Sequence, residues 1–219
     1  MNNLSRAFPL IAICLVLFLA VLPSGPESAP SSGPGEIRIL MLFGDHVGGY
    51  SYFTSDRWEQ CGWGLTSAGL QPTLSPCPLG VPFNVDTLIT EITDLSDYDC
   101  VAIMQSSAYN GTSHDDLLAS PEALALVQQA VADSLLVVAS CGGVRVLAAA
   151  DVIDGVTVTG YAAYSQEYID AGAIWVGDGV PPVLDGRILT SSAGRYYCNQ
   201  ITEVMREYFA EELATGPAN

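Results

Sequence analysis

The stretch that decides the fold is Leu135-Leu136-Val137-Val138-Ala139-Ser140-Cys141-Gly142-Gly143-Val144-Arg145-Val146-Leu147. Its apolar first part predicts a β-strand buried on both faces, and the part after Gly143 has the pattern of a helix. A sharp strand–turn–helix connection needs small residues around the turn, because the turn residue adopts a strained backbone conformation. Ser140, Gly142 and Gly143 meet that need, so the stretch predicts an α/β fold with Cys141 at the turn.

The position of Cys141 allows two interpretations. A thiol at the N-terminus of a helix meets the helix dipole and backbone N–H groups without intrahelical partners, and both favour the thiolate. The pattern therefore indicates a reactive cysteine. It is also compatible with a small buried core cysteine, in which case the two neighbouring glycines serve packing alone.

The segments before this stretch alternate between strand and helix patterns. Residues 37–43 and 99–104 are apolar runs typical of buried strands, and Ser120-Pro121-Glu122 begins a helix with a serine cap and a proline in the first turn. The alternation predicts a mostly parallel sheet covered by helices on both faces, which is a three-layer sandwich. Because the functional site of such a sheet lies at the carboxyl ends of its strands, chemistry is expected in the loops that follow them.

Three further elements are predicted with less distinctive patterns. Residues 53–68 predict a helix that ends at Gly69, and residues 84–92 predict another helix with Asn84 as its cap. Two short apolar runs flank Asp185-Gly186, a dipeptide that is typical of a β-hairpin turn.

The composition limits the possible functions. The chain has 219 residues, of which 49% are hydrophobic, enough to build the core of one α/β domain. It has 24 acidic residues against 7 basic ones, a net charge of −17, and no lysine. Such a surface repels phosphate backbones, so no nucleic-acid partner is predicted, and anionic membrane surfaces are disfavoured. Without lysine, Schiff-base chemistry by a lysine amine is excluded.

The first 29 residues have the pattern of an export signal. Arg6 is the only charge before an apolar run over residues 8–22, and small residues follow. A spanning helix needs ~20 apolar residues, so an uncleaved anchor is the alternative interpretation. Either one predicts an extracytoplasmic protein. The predicted organisation is a signal, a flexible linker, one domain and a tail, over residues 1–29, 30–36, 37–214 and 215–219.

Export would also affect which cysteines can form disulfides. An odd number remains after removal of the signal, which suggests one thiol outside any structural pairing. We expect Cys141 to be that thiol, with a possible disulfide among the other four: Cys61, Cys77, Cys100 and Cys198. Buried thiols are the alternative for these four residues.

The second half of the chain carries motifs that resemble a known family. Residues 170–176 read Asp-Ala-Gly-Ala-Ile-Trp-Val, and residues 183–192 read Val-Leu-Asp-Gly-Arg-Ile-Leu-Thr-Ser-Ser. Together with the Cys141 turn they resemble the ThiJ/PfpI family of the class I glutamine amidotransferase-like superfamily. The resemblance implies a flavodoxin-like sandwich, a nucleophilic Cys141 at the elbow and a homodimer. Cysteine peptidase, glyoxalase-type, deglycase, chaperone and amidotransferase-like activities all occur in that family.

The histidines depart from the family pattern. Relatives carry histidine directly after the cysteine or at a later position, and here those positions are Gly142 and Tyr161. The chain contains only His46 and His114, each in a loop that follows a predicted strand. Both loops open toward the expected site, so His114 is a candidate partner of the thiol and His46 and Tyr161 are candidate pocket residues.

The acid and the oxyanion hole also differ from the family pattern. Relatives place a glutamate near the start of the first helix, and a count back from the predicted helix end reaches Arg57, flanked by Asp56 and Glu59. Asp56 and Glu59 are therefore the candidate acids. A Gly-Gly pair that helps to form the oxyanion hole is replaced by Ser106-Ser107, so the candidate oxyanion donors are the backbone N–H groups of those serines and of Gly142.

These observations leave two functions open. The intact elbow predicts a cysteine hydrolase or lyase acting on small aldehydes, amides or peptides. The missing histidine and the serine pair predict a non-catalytic binding or stress-response module that keeps the fold. No spacing of cysteine or histidine indicates a metal site and no glycine pattern indicates a nucleotide site, so no cofactor is predicted.

Overall fold

The computed structural model describes residues 36–75, 82–106 and 114–215. In chain order the elements are β1 (Arg38–Phe43), α1 (Gly49–Gln60), β2 (Gly64–Gly69), β3 (Thr73–Leu74), β4 (Phe83–Asn84), β5 (Thr87–Leu88), β6 (Cys100–Ile103), α2 (Asp115–Leu118), α3 (Pro121–Ala132), β7 (Leu136–Ser140), α4 (Val144–Ala149), β8 (Thr157–Val158), α5 (Ser165–Asp170), β9 (Ile174–Trp175), β10 (Val183–Asp185), β11 (Ile188–Ser191) and α6 (Gly194–Thr215).

Seven strands form the central sheet in the order β10-β11-β7-β6-β1-β2-β5. Every pairing is parallel except that of β10 with β11, whose antiparallel hairpin turns at Asp185-Gly186 as predicted. The predicted mostly parallel sheet is therefore confirmed. Parallel pairing requires crossovers, and the helices supply them on both faces of the sheet.

The two faces of the sheet support separate apolar layers. Alternate residues of a strand point to opposite faces, so Leu40 and Leu42 pack with helices α3 and α4, while Ile39 and Met41 pack with α1 and α6. The four residues are between 0% and 5% exposed. The strands thus need apolar residues at successive positions, which explains why their sequences show no polar alternation. The result is the flavodoxin-like three-layer sandwich expected from the sequence.

The strand order indicates where on the sheet a ligand would bind. From β1 the chain crosses to β2 on one side, whereas from β6 it crosses to β7 on the other, so the order reverses between β1 and β6. Loops at the carboxyl ends of two such strands diverge and leave a crevice, which is where ligands bind in open α/β sheets. The turn after β7 lies beside this crevice, because β7 pairs directly with β6.

The predicted helix over residues 53–68 is wrong in both bounds. Helix α1 covers Gly49–Gln60, and residues 64–69 are strand β2, which pairs with β1 along its whole length. Gly62 adopts φ +78° just past the helix end, a conformation that closes helices and that glycine adopts without a Cβ clash. Strand β2 contains only two apolar side chains, Leu65 and Ala68, so its sequence lacks the pattern of a buried strand.

The predicted helix over residues 84–92 is also wrong. Phe83–Asn84 pairs with Thr73–Leu74, Thr87–Leu88 pairs with β2 at the edge of the main sheet, and only Ile89–Glu91 form a short 3-10 turn. Asp86 holds this edge, because its carboxylate accepts hydrogen bonds from the backbone N–H and the hydroxyl of Ser67 at 2.8 and 2.6 Å. That contact joins residues 19 positions apart, which local helix patterns do not reveal.

Other predicted features are confirmed. The hydroxyl of Ser120 accepts a hydrogen bond from the N–H of Ala123 at 3.2 Å, and Pro121 occupies the first position of α3. This is the serine cap and first-turn proline that the sequence indicated.

Within the described residues, no helix has both the length and the apolar character needed to cross a membrane.

The positive φ of Gly62 allows a test of where helix α1 ends. A Cβ at either Gly62 or Gly49 would meet no atom within 4 Å, but only Gly62 has a positive φ. We expect Gly62→Ala to lower the free energy of unfolding by about 1 kcal/mol, because alanine is strained in the left-handed region. Gly49→Ala is the matched control and leaves stability unchanged or slightly higher; equal effects in urea unfolding would contradict the boundary.

Candidate functional site

The elbow after β7 has the strained geometry that its sequence predicts. Cys141 adopts φ +58°, in the left-handed region that non-glycine residues seldom occupy. It is the first residue of a 3-10 turn, Cys141–Gly143, that leads directly into α4. Its side chain is half-buried, whereas Gly142 and Gly143 are buried. The thiol thus stands at the start of a helical segment, at the carboxyl edge of the sheet.

Close packing against β6 supports this turn. A Cβ on Gly143 would lie 3.1 Å from Ile103 Cγ2 and 3.3 Å from the Ile103 carbonyl oxygen. A side chain at this position would require Ile103 or the turn to shift by a few tenths of an ångström, so glycine permits the close approach to β6. The small residues around Cys141 therefore serve the backbone path that presents the thiol.

The loops after β1 and β6 meet at the neighbouring crevice. The Gln105 carbonyl oxygen accepts hydrogen bonds from Gly48 N–H at 2.8 Å and from the Ser51 hydroxyl at 3.0 Å. Ser106, a predicted oxyanion residue, forms an isolated antiparallel bridge with Val47. Its neighbour Ser107 lies outside the described residues. The start of α1 is thereby tied to the loop that follows β6.

Both histidines lie in the loops that were predicted to carry them. His114 is 1% exposed, has φ +68°, and places Nε2 2.8 Å from the Met104 carbonyl oxygen. Because a carbonyl oxygen only accepts, the Nε2 atom carries the hydrogen in this contact. His46 is half-buried and forms an isolated parallel bridge with Ser75.

The two candidate acids lie on the outer face of α1. Asp56 and Glu59 are exposed, and the Asp56 carboxylate accepts a hydrogen bond from Gln60 Nε2 at 2.8 Å. The buried face of the helix carries Ser51, Thr54 and Trp58 instead. The first turn of α1 contains no acidic residue. The count that selected Asp56 and Glu59 started from Gly69, which is the end of β2 and not the end of the helix.

A carboxyl pair that the sequence did not reveal lies beside the crevice. The carboxylate of Asp116 accepts a hydrogen bond from Asp45 N–H and fills the space next to Gly44, where a Cβ would lie 2.8 Å from Asp116 Oδ1. Burial raises the pKa of Asp45, the charge of Asp116 raises it further, and His46 opposes both effects. The partners are 71 residues apart, so only the folded chain shows them.

Arg145 joins three helices around the elbow. Its guanidinium donates to Asp115 on α2 at 2.6 Å and to Glu167 on α5 at 2.7 Å, and it lies 4.3 Å from the centre of the Tyr164 ring. The side chain is only 14% exposed, so these charges are partly shielded from water. Because Arg145 belongs to α4, the cluster fixes the helix that follows Cys141.

Tyr161 lies directly against the elbow. Its backbone N–H donates to the Cys141 carbonyl oxygen at 3.4 Å, and its side chain is 47% exposed. Among the described residues, no group of three histidine, cysteine, aspartate or glutamate side chains is arranged to hold a metal ion.

The remaining described cysteines differ in burial. Cys61, Cys100 and Cys198 are present as thiols, so no disulfide joins any two of these three. Burial raises the pKa of the Cys100 thiol well above its ordinary value, which makes it unreactive. Cys77 lies outside the described residues, and a disulfide that includes it stays a prediction.

The Asp45–Asp116 pair predicts a pH dependence of stability. The folded chain holds the Asp45 proton to a higher pH than the unfolded chain, so stability falls as the pH rises above the ordinary value of 3.8. We expect Asp45→Asn to raise the unfolding midpoint at pH 7, with the gain vanishing as the pH falls below 3.8, where the Asp45 carboxyl is protonated in the folded and the unfolded chain.

The exposed loop carboxylate Asp178 is the control for the change in net charge. At pH 7, Asp178→Asn removes the same charge without touching the pair, so its shift in the unfolding midpoint should be clearly smaller than that of Asp45→Asn. A gain for Asp45→Asn that does not depend on pH, or no gain, would contradict the interpretation of the pair.

The fold matches several solved structures. They include DJ-1beta of Drosophila melanogaster (TM-score 0.67, 20% identity, 83% of this chain and 97% of that one). A ThiJ/PfpI domain protein of Brachyspira murdochii has a TM-score of 0.67 and 18% identity over 78% of this chain and 98% of that one. At this level of identity the likeness shows the fold alone.

A longer relative comes from Anabaena variabilis and combines a DJ-1/ThiJ/PfpI-like domain with a ferritin-like domain. The TM-score is 0.68 with 22% identity, and the match covers 78% of this chain but only 48% of that protein. This chain thus spans about half of that two-domain protein. No curated protein matches the chain significantly. The sequence model of the DJ-1/PfpI family matches residues 37–207, which include the Cys141 elbow, and the chain belongs to this family.

Proposed function

We propose that the protein is a cysteine-dependent hydrolase or lyase in which Cys141 is the nucleophile. The observation that carries this proposal is the left-handed conformation of a half-buried cysteine at a strand-to-helix turn. A non-glycine residue in that region costs about 1–2 kcal/mol, and such strain persists mainly where function requires it. A structural core cysteine would need neither the strain nor the partial exposure.

The start of the helical turn supplies the electrostatics that such a nucleophile needs. The first N–H groups of a helix have no intrahelical partner, and the dipole is positive at this end. Both effects favour the thiolate of Cys141 and the negative oxygen that forms when it attacks a carbonyl. We assign the Gly142 N–H as an oxyanion donor, because it belongs to the residue directly after the nucleophile.

The reaction class follows from the thiol. The Cys141 sulfur adds to a carbonyl carbon and the carbonyl electron pair moves to oxygen. An amide or peptide then expels its amine and leaves a thioester that water hydrolyses, whereas an aldehyde gives a hemithioacetal. We propose small aldehydes, amides and peptides as substrate classes, and His114 as the candidate proton acceptor.

One observation favours a second function, a non-catalytic binding or stress-response module. The first turn of α1 contains buried Ser51 but no acid, and Gly142 follows the cysteine where relatives have histidine. The usual partners of the thiol are thus replaced by groups that do not transfer protons at neutral pH. In that case the crevice still binds a ligand but Cys141 does not turn it over.

The reactivity of Cys141 is tested by alkylation. Three described thiols, Cys61, Cys141 and Cys198, are half-buried, so access alone does not distinguish them. At pH 7 we expect iodoacetamide to label Cys141 at least about tenfold faster than the other two, because only Cys141 begins a helix. Peptide mass spectrometry over time gives the three rates in one sample, and equal rates would contradict the nucleophile.

Turnover then separates the two functions. Small aldehydes, amides and peptides are offered to the protein, to Cys141→Ala and to Cys198→Ala as the matched control. If the protein is an enzyme, Cys141→Ala should lower its turnover rate at least about 10³-fold. Cys198→Ala should leave the turnover rate unchanged. A fast-labelling thiol without turnover of any of these substrates supports the binding module.

We also propose that the protein is exported and forms a homodimer. The basis for export is the order of charge, apolar run and small residues before residue 30, and the dimer rests on the family resemblance. Expression of the full chain should give an extracytoplasmic product whose N-terminus lies near residue 30. Intact-mass measurement checks this, and Leu15→Arg, which interrupts the apolar run, should retain the product in the cytoplasm.

A further inference from the structure

A buried tyrosine lies beneath the elbow. Tyr168, on α5, is 0% exposed, and its hydroxyl lies 3.5 Å from the Cys141 carbonyl oxygen and 3.4 Å from the Tyr161 carbonyl oxygen. The Tyr161 N–H reaches the same Cys141 oxygen at 3.4 Å. The Cys141 carbonyl also accepts the 3-10 hydrogen bond from the Val144 N–H, so two backbone donors and one side-chain donor hold it.

The position of this hydroxyl is fixed by packing. A Cβ on Gly160 would lie 2.9 Å from Tyr168 Cε2 and 3.0 Å from the hydroxyl oxygen, so the ring rests directly on the glycine backbone. On another side the ring packs against Trp175, with ring centres 5.4 Å apart. These two contacts fix the position of the ring in the wild-type protein, because protein interiors are closely packed.

The hydroxyl remains a donor at every pH near neutrality. Burial raises the pKa of Tyr168, and the charges of a Cys141 thiolate and of Glu167 raise it further, while Arg145 opposes them. A neutral phenol has one O–H, and Tyr168 shares it between the Tyr161 and Cys141 carbonyls, because both only accept. Ionisation of the nucleophile thus leaves the hydrogen of Tyr168 in place beneath it.

Peptide geometry connects this contact to the reaction. The Cys141 carbonyl and the Gly142 N–H belong to one planar trans peptide unit, so they point in opposite directions. A donor that fixes the oxygen from below also fixes the direction of the N–H on the other side. That N–H is the proposed oxyanion donor, and its alignment determines how strongly it stabilises the developing charge.

We propose that Tyr168 is a positioning residue for the Cys141 site: through the Cys141 carbonyl, its hydroxyl orients the Gly142 N–H toward the oxyanion. The proposal rests on the proposed function, because it requires Cys141 to act as a nucleophile on carbonyl compounds. If Tyr168 only packed in the core, loss of its ring would affect stability and loss of its hydroxyl would not affect the reaction.

Two probes separate these roles. In p-nitrophenyl acetate the Cys141 sulfur bonds to the acetyl carbon, the bond to p-nitrophenolate breaks with its electron pair, and an oxyanion forms on the way. Iodoacetamide alkylates the same sulfur by displacement of iodide and forms no oxyanion. Acylation therefore depends on the Gly142 N–H, whereas alkylation depends on the thiolate alone.

The variant that tests the proposal is Tyr168→Phe, which keeps the ring and removes the hydroxyl. We expect acylation of Cys141, followed by p-nitrophenolate release and by mass spectrometry of the thioester, to slow by about tenfold or more. Alkylation by iodoacetamide should change by less than about twofold, and circular dichroism should show an intact fold.

Matched variants exclude indirect effects. Tyr208→Phe removes the hydroxyl that Arg187 contacts on the opposite face of the sheet and should leave both rates unchanged. Gly160→Ala displaces the Tyr168 ring without removing the hydroxyl and should reproduce the selective loss of acylation. It also serves as the test variant if Tyr168→Phe does not fold.

The outcomes distinguish the two proposals. If Tyr168→Phe slows neither reaction, or slows both equally, the positioning role is overturned while the nucleophile stands. If wild-type Cys141 is not acylated at all, the proposed function is overturned, together with the oxyanion role of Gly142 and the positioning role that depends on it.

Discussion

A cysteine held in the left-handed region is the constraint on which the rest of this structure depends. The conformation of Cys141 is unfavourable by about 1–2 kcal/mol for an L-residue, so its surroundings must over-determine it. Gly143 packs onto the end of β6. The Cys141 carbonyl accepts from the N–H groups of Val144 and Tyr161 and from the Tyr168 hydroxyl. The parallel sheet supplies the rigid base that makes these contacts possible.

The surroundings of the elbow are connected by charged groups as well as by packing. Arg145 ties α4 to α2 and α5, and the adjacent residue on α2, Asp116, reaches the loop after β1. Gln105 ties that same loop to the end of β6. The described parts of the loops after β1 and β6 are thus joined to each other and to α2. A preorganised site of this kind has little conformational entropy to lose on binding a ligand.

The sequence predicted those parts of the molecule whose cause is local. Buried parallel strands such as β1 and β7 are apolar at successive positions, and the elbow needs small residues next to Cys141, so both are visible in a short window. Strand β2 was missed because it contains only Leu65 and Ala68 as apolar side chains. That error moved the expected start of the first helix and led to Asp56 and Glu59, which lie on its exposed face. The Asp45–Asp116 pair and the Arg145 cluster arise from contacts between distant residues, and no local pattern marks them.

The contact between Gly160 and Tyr168 makes the residue allowed at one position depend on the residue at the other. As long as an aromatic ring occupies position 168, any side chain at position 160 would lie within 3 Å of it. A smaller residue at 168 would remove that restriction and would also remove the hydroxyl beneath the elbow. Relatives that retain this tyrosine should therefore retain the glycine, whereas lineages that have lost the ring are free to vary both. In this chain the two positions therefore constrain each other, and only a smaller residue at position 168 frees position 160 for a side chain.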